Sequence, residues 1–193
     1  MNSLTELQAV YRALPGRPVV LGEGKAEHPR LLLLGEAPGG EEEKFGHPFV
    51  GKAGQHLNHF LAVLGIDRAE LWITNVVKQR PVRISEKGRV SNRPPNRQEK
   101  ALFTPLLMDE LRLVAPEGIV TLGNTALQAL LGKDALIGAD HGRWTKTDGL
   151  PPIFALYHPA AVIYNRALLS TYEADLAALG RDLAAGTIGQ TDI

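Results

Sequence analysis

Cysteine is absent from all 193 residues, which removes disulfides, thiolate-bound zinc and cysteine-ligated clusters at a stroke. Net charge is absent too. Lys and Arg number 21 and so do Asp and Glu, so the surface as a whole exerts no strong nonspecific pull on nucleic acid. No apolar run approaches a membrane span, and the N-terminus lacks a signal-peptide pattern, which makes cytoplasmic residence the expectation. Residues 4–14 read as a short amphipathic helix instead. What is present is ordinary for a soluble globular chain: 44% hydrophobic and 22% charged residues, enough for one domain over residues 1–193 with a real core.

Four segments rich in branched aliphatics read as strands: Arg30–Leu34, Leu71–Val76, Gly118–Leu122 and Ile153–Leu156. Helical spacing lies between them. Residues 52–64 place Leu57, Phe60, Leu61 and Leu64 on one face and stop at Gly65. Residues 98–114 carry Leu102, Leu106 and Leu113 and stop near Pro116; Asn124 is placed to cap a helix over 125–131, and a last helix covers 168–184. This alternation predicts an α/β fold: a three-layer α/β/α sandwich around a mainly parallel, four-stranded sheet. Residues 81–95 read as a long, Pro-rich loop. Residues 78–100 hold eight basic residues against Glu86 and Glu99, a local excess of +6. That run is either a solvated loop or an arm for phosphate contacts.

The run Leu31-Leu32-Leu33-Leu34 stops abruptly at Gly35-Glu36-Ala37-Pro38-Gly39, delivering a strand end to a Gly/Pro turn with a carboxylate and free backbone N–H groups. In parallel sheets, ligands bind at such carboxyl ends. The other three strands also end in polar residues, Asn75, Gly123-Asn124 and His158, so the four ends are expected to converge on one pocket. His56-x-x-His59 lies near Glu41–Glu43, but without a further ligand in register it is a weak metal signal. No metal and no cofactor is expected.

Together with Gly46-x-Pro48-Phe49-Val50-Gly51-Lys52-Ala53-Gly54, Thr74-Asn75-x-Val77-Lys78 and His158-Pro159-Ala160, these residues resemble the uracil-DNA glycosylase superfamily. The pattern is most similar to the bacterial and archaeal branch known as family 4. Val20-x-Gly22-Glu23-Gly24, Ala115-Pro116, Leu122-Gly123 and His141-Gly142-Arg143 extend the resemblance from about residue 19 to the final helix. One departure stands out. Members of that branch carry four cysteines holding a structural iron–sulfur cluster, whereas here Gln79 stands at one ligand position. Apolar packing around Gln79 and Leu102 is the expected substitute for the tie between the N-terminal helix and the 81–95 loop.

The resemblance implies a role for each residue. Phe49 stacks on a flipped base, and His158 donates to uracil O2 as the glycosidic bond breaks. Asn75 carries a donor and an acceptor that match uracil O4 and N3–H and oppose cytosine. Ala37 and Gly39 lie on the substrate side, Ala37 at the position where the best-known branch has its water-activating aspartate. Glu36 is the first candidate for handling the attacking water, with Glu42 as helper or as a wall against the thymine methyl, although Glu41-Glu42-Glu43 also reads as a solvated run. Lys78, Arg80 and Arg166 are candidate DNA contacts. Val162, Ile163 or Tyr164 is the candidate wedge that replaces the flipped base, against the alternative of a connection packed on the core.

The implied function is that of a monofunctional glycosylase hydrolysing the N-glycosidic bond of uracil in DNA, a base-excision-repair activity with DNA as partner, no membrane, and a monomeric state. Two alternatives stay open: a non-catalytic binder of damaged or single-stranded DNA, and a glycosylase for another deaminated base such as hypoxanthine or xanthine.

Overall fold

Leu31–Gly35 is buried at every position, as expected of a strand covered on both faces. It forms β2 of a sheet in a computed structural model that describes residues 1–190. In chain order the strands are β1 (Glu23–Gly24), β2, β3 (Trp72–Asn75), β4 (Val82–Ile84), β5 (Val90–Asn92), β6 (Gly118–Leu122), β7 (Trp144–Thr145) and β8 (Ile153–Leu156). The helices are α1 (Leu4–Ala13), α2 (Gly40–Phe45), α3 (Lys52–Val63), α4 (Arg97–Val114), α5 (Asn124–Leu131), α6 (Ile137–Asp140), α7 (Pro159–Tyr164) and α8 (Leu169–Ala185).

The central sheet runs β1-β3-β2-β6-β8-β7 and has six strands, not four. Its four middle strands are the expected ones and are mutually parallel. The additions are antiparallel edges of two residues each, too short to leave a period in the sequence. Side chains alternate across this sheet. Leu31 and Leu33 face a core shared with α3 and α8, while Leu32 and Leu34 face a second core shared with α1 and α4. The three layers follow from that alternation.

Two local expectations need correction. The 81–95 segment is not an irregular loop: β4 and β5 pair as a hairpin, Ile84 opposite Val90, closed by Gly88 N–H donating to Ser85 C=O at 2.8 Å. Asn124 does not cap α5. Gly123 holds that position, and the Asn124 side chain accepts from Ile137 N–H at 2.7 Å, tying α5 to α6.

Candidate active site

Gly35 and Asn75 are register partners at the carboxyl ends of β2 and β3, and His158 follows β8 by two residues. These ends open on a cavity of about 410 Å³ walled by Ala37, Gly39, Glu42, Phe49, Asn75 and His158, with Lys52, Asn92 and Tyr164 also on its lining. A larger cavity of about 500 Å³ between α3 and α8 is lined mainly by Phe60, Val63, Leu64 and Leu176, and none of the expected site residues reaches it.

The pocket is built on close approaches that only glycine permits. A Cβ on Gly35 would lie 2.3 Å from Asn75 Oδ1 and 2.4 Å from Phe49 Cζ. One on Gly54, in α3, would lie 1.8 Å from the Phe49 carbonyl oxygen. Phe49 itself is 5% exposed and has φ of 53°, a left-handed conformation that strains a bulky residue by about 1–3 kcal/mol. The strain is held in place from outside: Arg68 donates to the carbonyls of Pro48 and Phe49. Strain maintained at a pocket wall points to a ring whose placement matters.

His158 caps α7, and its Nδ1 accepts from Ala160 N–H at 3.1 Å. A neutral imidazole with Nδ1 accepting carries its proton on Nε2. Burial pushes its pKa below the ordinary value, opposed by the charge of Glu42, so the ring is neutral at pH 7. Its centroid lies 6.3 Å from that of Phe49, with 27° between the planes. Asn75 is 3% exposed and presents an amide to the cavity.

The two candidate carboxylates part company. Glu36 is turned away from the cavity wall and accepts from the Thr125 hydroxyl of α5. Glu42 stands in the wall, its carboxylate accepting from Gly39 N–H at 3.0 Å and Gly51 N–H at 2.8 Å, which staples the two halves of the loop together. The acidic triplet is therefore not a solvated run. Glu43 pairs with Arg17 and Arg80, which hold its carboxyl below the usual range, Arg17 more strongly; Glu41 alone is exposed.

Among the candidate DNA contacts, Lys78 is misplaced by the sequence reading. It is fully buried, with Nζ 2.6 Å from Glu110 Oε2, and cannot reach a phosphate. Arg80 is engaged with Glu43 at 3.2 Å and Asn92 Oδ1 at 2.7 Å, so it joins α2 to the hairpin beside the pocket. Tyr164, 89% exposed, stands on the pocket rim, and Arg166 is exposed just beyond it. Val162 is part of the core and is no wedge; the side chain of Ile163 lies outside the described residues.

Asn92, Lys52 and Arg68 were missed. Asn92 sits at the end of a hairpin that reads as loop, and nothing local separates Lys52 or Arg68 from any surface cation. His56 and His59 are both exposed on α3, and no group of three metal-ligating side chains occurs among the described residues.

The residues present do not fit an iron–sulfur cluster. Gln79 donates from its amide to Pro15 C=O at 3.1 Å, Tyr11 and Phe103 stack at 6.1 Å, and the neighbouring buried charges are the mutually paired Lys78 ammonium and Glu110 carboxylate. A cluster requires anionic thiolates, and an already paired lysine and glutamate with amide and aromatic neighbours offers none. Leu102, expected in this packing, is nearly half exposed; Phe103 takes its place.

Comparison with known proteins agrees with the geometry. The uracil DNA glycosylase superfamily matches residues 21–182. The chain is 38% identical over 165 residues to the type-4 uracil-DNA glycosylase of Pyrobaculum aerophilum, covering 82% of this chain and 80% of that one. It is 37% identical over 149 residues to the type-4 enzyme of Thermotoga maritima, covering 77% and 73%. The corresponding values for Archaeoglobus fulgidus are 36% over 170 residues, 83% and 78%. A pocket of this build, at this sheet edge and with these relatives, means that the chain belongs to the uracil-DNA glycosylase superfamily, on its type-4 branch and without that branch's cysteines.

Proposed function

We infer that the protein is a monofunctional uracil-DNA glycosylase that takes uracil out of the stack and hydrolyses its N-glycosidic bond. The observation that carries this reading is the meeting of Phe49, Asn75 and His158 on one cavity of about 410 Å³ in a member of this superfamily.

Phe49 offers a face for the extruded ring. Asn75 pairs its amide N–H with O4 and its carbonyl with N3–H, an arrangement that cytosine opposes. As the C1′–N1 bond breaks, its electron pair passes to the pyrimidine and charge accumulates at O2. His158 Nε2–H, neutral and preorganised, donates to that oxygen. The sugar acquires oxocarbenium character and is attacked by water, whose oxygen bonds to C1′ and whose released proton leaves through a carboxylate. Glu42 is favoured for that role over Glu36 because it stands in the cavity wall. The products are free uracil and an abasic site, with no metal or cofactor in any step.

Tyr164 on the rim suits the wedge, and Arg166 a flanking phosphate. No helix among the described residues is long and apolar enough to cross a membrane, and action as a cytoplasmic monomer is part of the same reading.

The test is incubation, with chelator present, of oligonucleotides containing uracil, hypoxanthine or xanthine, followed by alkali. Strand scission at uracil is expected. In His158→Ala, turnover should fall by about 10²–10³-fold while binding changes far less, the pattern of a group acting in the transition state. Scission only at another base would change the substrate. Binding with no scission would make the protein a DNA-damage binder.

A further inference from the structure

Among the described residues Lys78 is the largest charged side chain sealed from solvent, and DNA binding cannot explain it. Its ammonium has three protons and meets three acceptors: Glu110 Oε2, Thr74 Oγ1 and the Asn75 carbonyl oxygen, each at 2.6 Å. Glu110 is fixed in turn. Its other oxygen accepts from Trp72 Nε1–H at 2.9 Å, and the Tyr11 hydroxyl of α1 donates to Oε2 at 3.3 Å. The Tyr11 ring also lies under the ammonium, 5.2 Å from its centroid.

The position of this cluster on the sheet is what gives it consequence. On its inner side, β3 pairs with β2 through Asn75 itself. On the outer side, β1 pairs only with Trp72 and Ile73 and stops. The residue that reads the base thus sits in a gap on the outer side, between the β1 pairing and the point where the chain pairs again at Val19–Gln79, and the donor that meets its carbonyl comes from Lys78, three residues on. A fully desolvated ammonium bonded to a carbonyl makes a stronger tether than a neutral donor would.

We propose that Lys78, oriented by Glu110, is a positioning residue for Asn75: it fixes the backbone from which the amide reads the Watson–Crick edge of uracil. This rests on the uracil-excision reading of the pocket. A small displacement of such a group is amplified in the rate, since misplacement by about 1 Å lowers activity by about 10²-fold.

The test is a double-mutant cycle between this pair and Asn75. Lys78→Met/Glu110→Gln removes both charges, leaves a carbonyl to accept from Trp72 Nε1–H, and places an amide NH2 where the Tyr11 hydroxyl can turn to accept. It is made in the natural chain and in Asn75→Ala, with kcat/KM for uracil excision and Kd for a uracil-containing oligonucleotide measured in all four proteins. Positioning predicts about a tenfold loss in the natural background and less than a twofold further loss when Asn75 is already alanine. Equal losses in both backgrounds would overturn the proposal, because a merely structural pair weakens the enzyme whatever stands at position 75. Should Lys78→Met/Glu110→Gln not fold, Lys78→Gln/Glu110→Gln carries the cycle with the charged tether replaced by a weaker neutral donor, and the loss expected in the natural background is correspondingly smaller but must still be absent when Asn75 is alanine. A natural chain that leaves uracil untouched would sink the functional reading, while the cycle read in Kd would still decide the positioning.

Discussion

Asn75 and Lys78 lie three residues apart, and both are sealed almost completely, yet they use burial in opposite ways. The Asn75 amide faces a cavity and keeps its hydrogen-bonding capacity for a ligand. The Lys78 ammonium faces the second core and spends every proton inside the protein. The contrast teaches that a buried polar group belongs to function when its partner is missing and to architecture when its partners are complete. The two environments share one peptide segment, so the closed cluster also sets the geometry of the open one.

The largest effect expected from breaking this contrast is on stability. Lys78→Met alone leaves Glu110 charged and sealed and should destabilise the fold by about 3–5 kcal/mol in urea titration. Adding Glu110→Gln should recover most of that loss, since removing both charges is close to neutral. No recovery would mean that the pair's hydrogen bonds, not its charges, carry the effect.

A smaller effect concerns pH and sharpens the open side. His158 is held neutral by burial, with its folded pKa below the unfolded value near 6.5. Its contribution to stability is therefore complete above about pH 6.5 and is lost as pH falls through the folded pKa. Protonation would also remove the acceptor for Ala160 N–H. Excision should stay level from pH 8 to 6.5 and decline only below. An acid limb centred at or above 6.5 would mean that the ring is not held neutral as described.

The smallest effect lies at the rim. Tyr164→Ala should lower excision from duplex DNA by a few-fold and leave single-stranded substrate nearly unaffected, because only a duplex needs its gap refilled. Equal losses on both substrates would make Tyr164 part of the pocket wall, not a wedge.

Much of this was legible along the chain, for identifiable reasons. The parallel strands are continuous apolar runs because both their faces are covered. α3, α4 and α8 show a 3.6-residue period because one face of each meets the sheet. Asn75 and His158 stood out as polar residues at the ends of such strands. The hairpin β4–β5 was hidden, since three-residue strands flanked by Arg80, Arg89 and Arg93 look like solvated loop. Gln79 marked the lost cluster, but Phe103, which stacks on Tyr11, is one more leucine-like position in an amphipathic helix when read locally.

Local order along the chain determined the four central strands and the long helices, which polar residues end those strands, and that no thiolate chemistry is available. Each of those properties is set by near neighbours or by composition. Tertiary structure alone decided that Glu42 and not Glu36 enters the cavity, because two carboxylates on one loop differ only in where the folded loop turns them. It also decided the fate of Lys78. Whether a lysine is a surface cation or a sealed one depends on a carboxylate 32 residues away in sequence, and only folding brings Glu110 to within 2.6 Å of it.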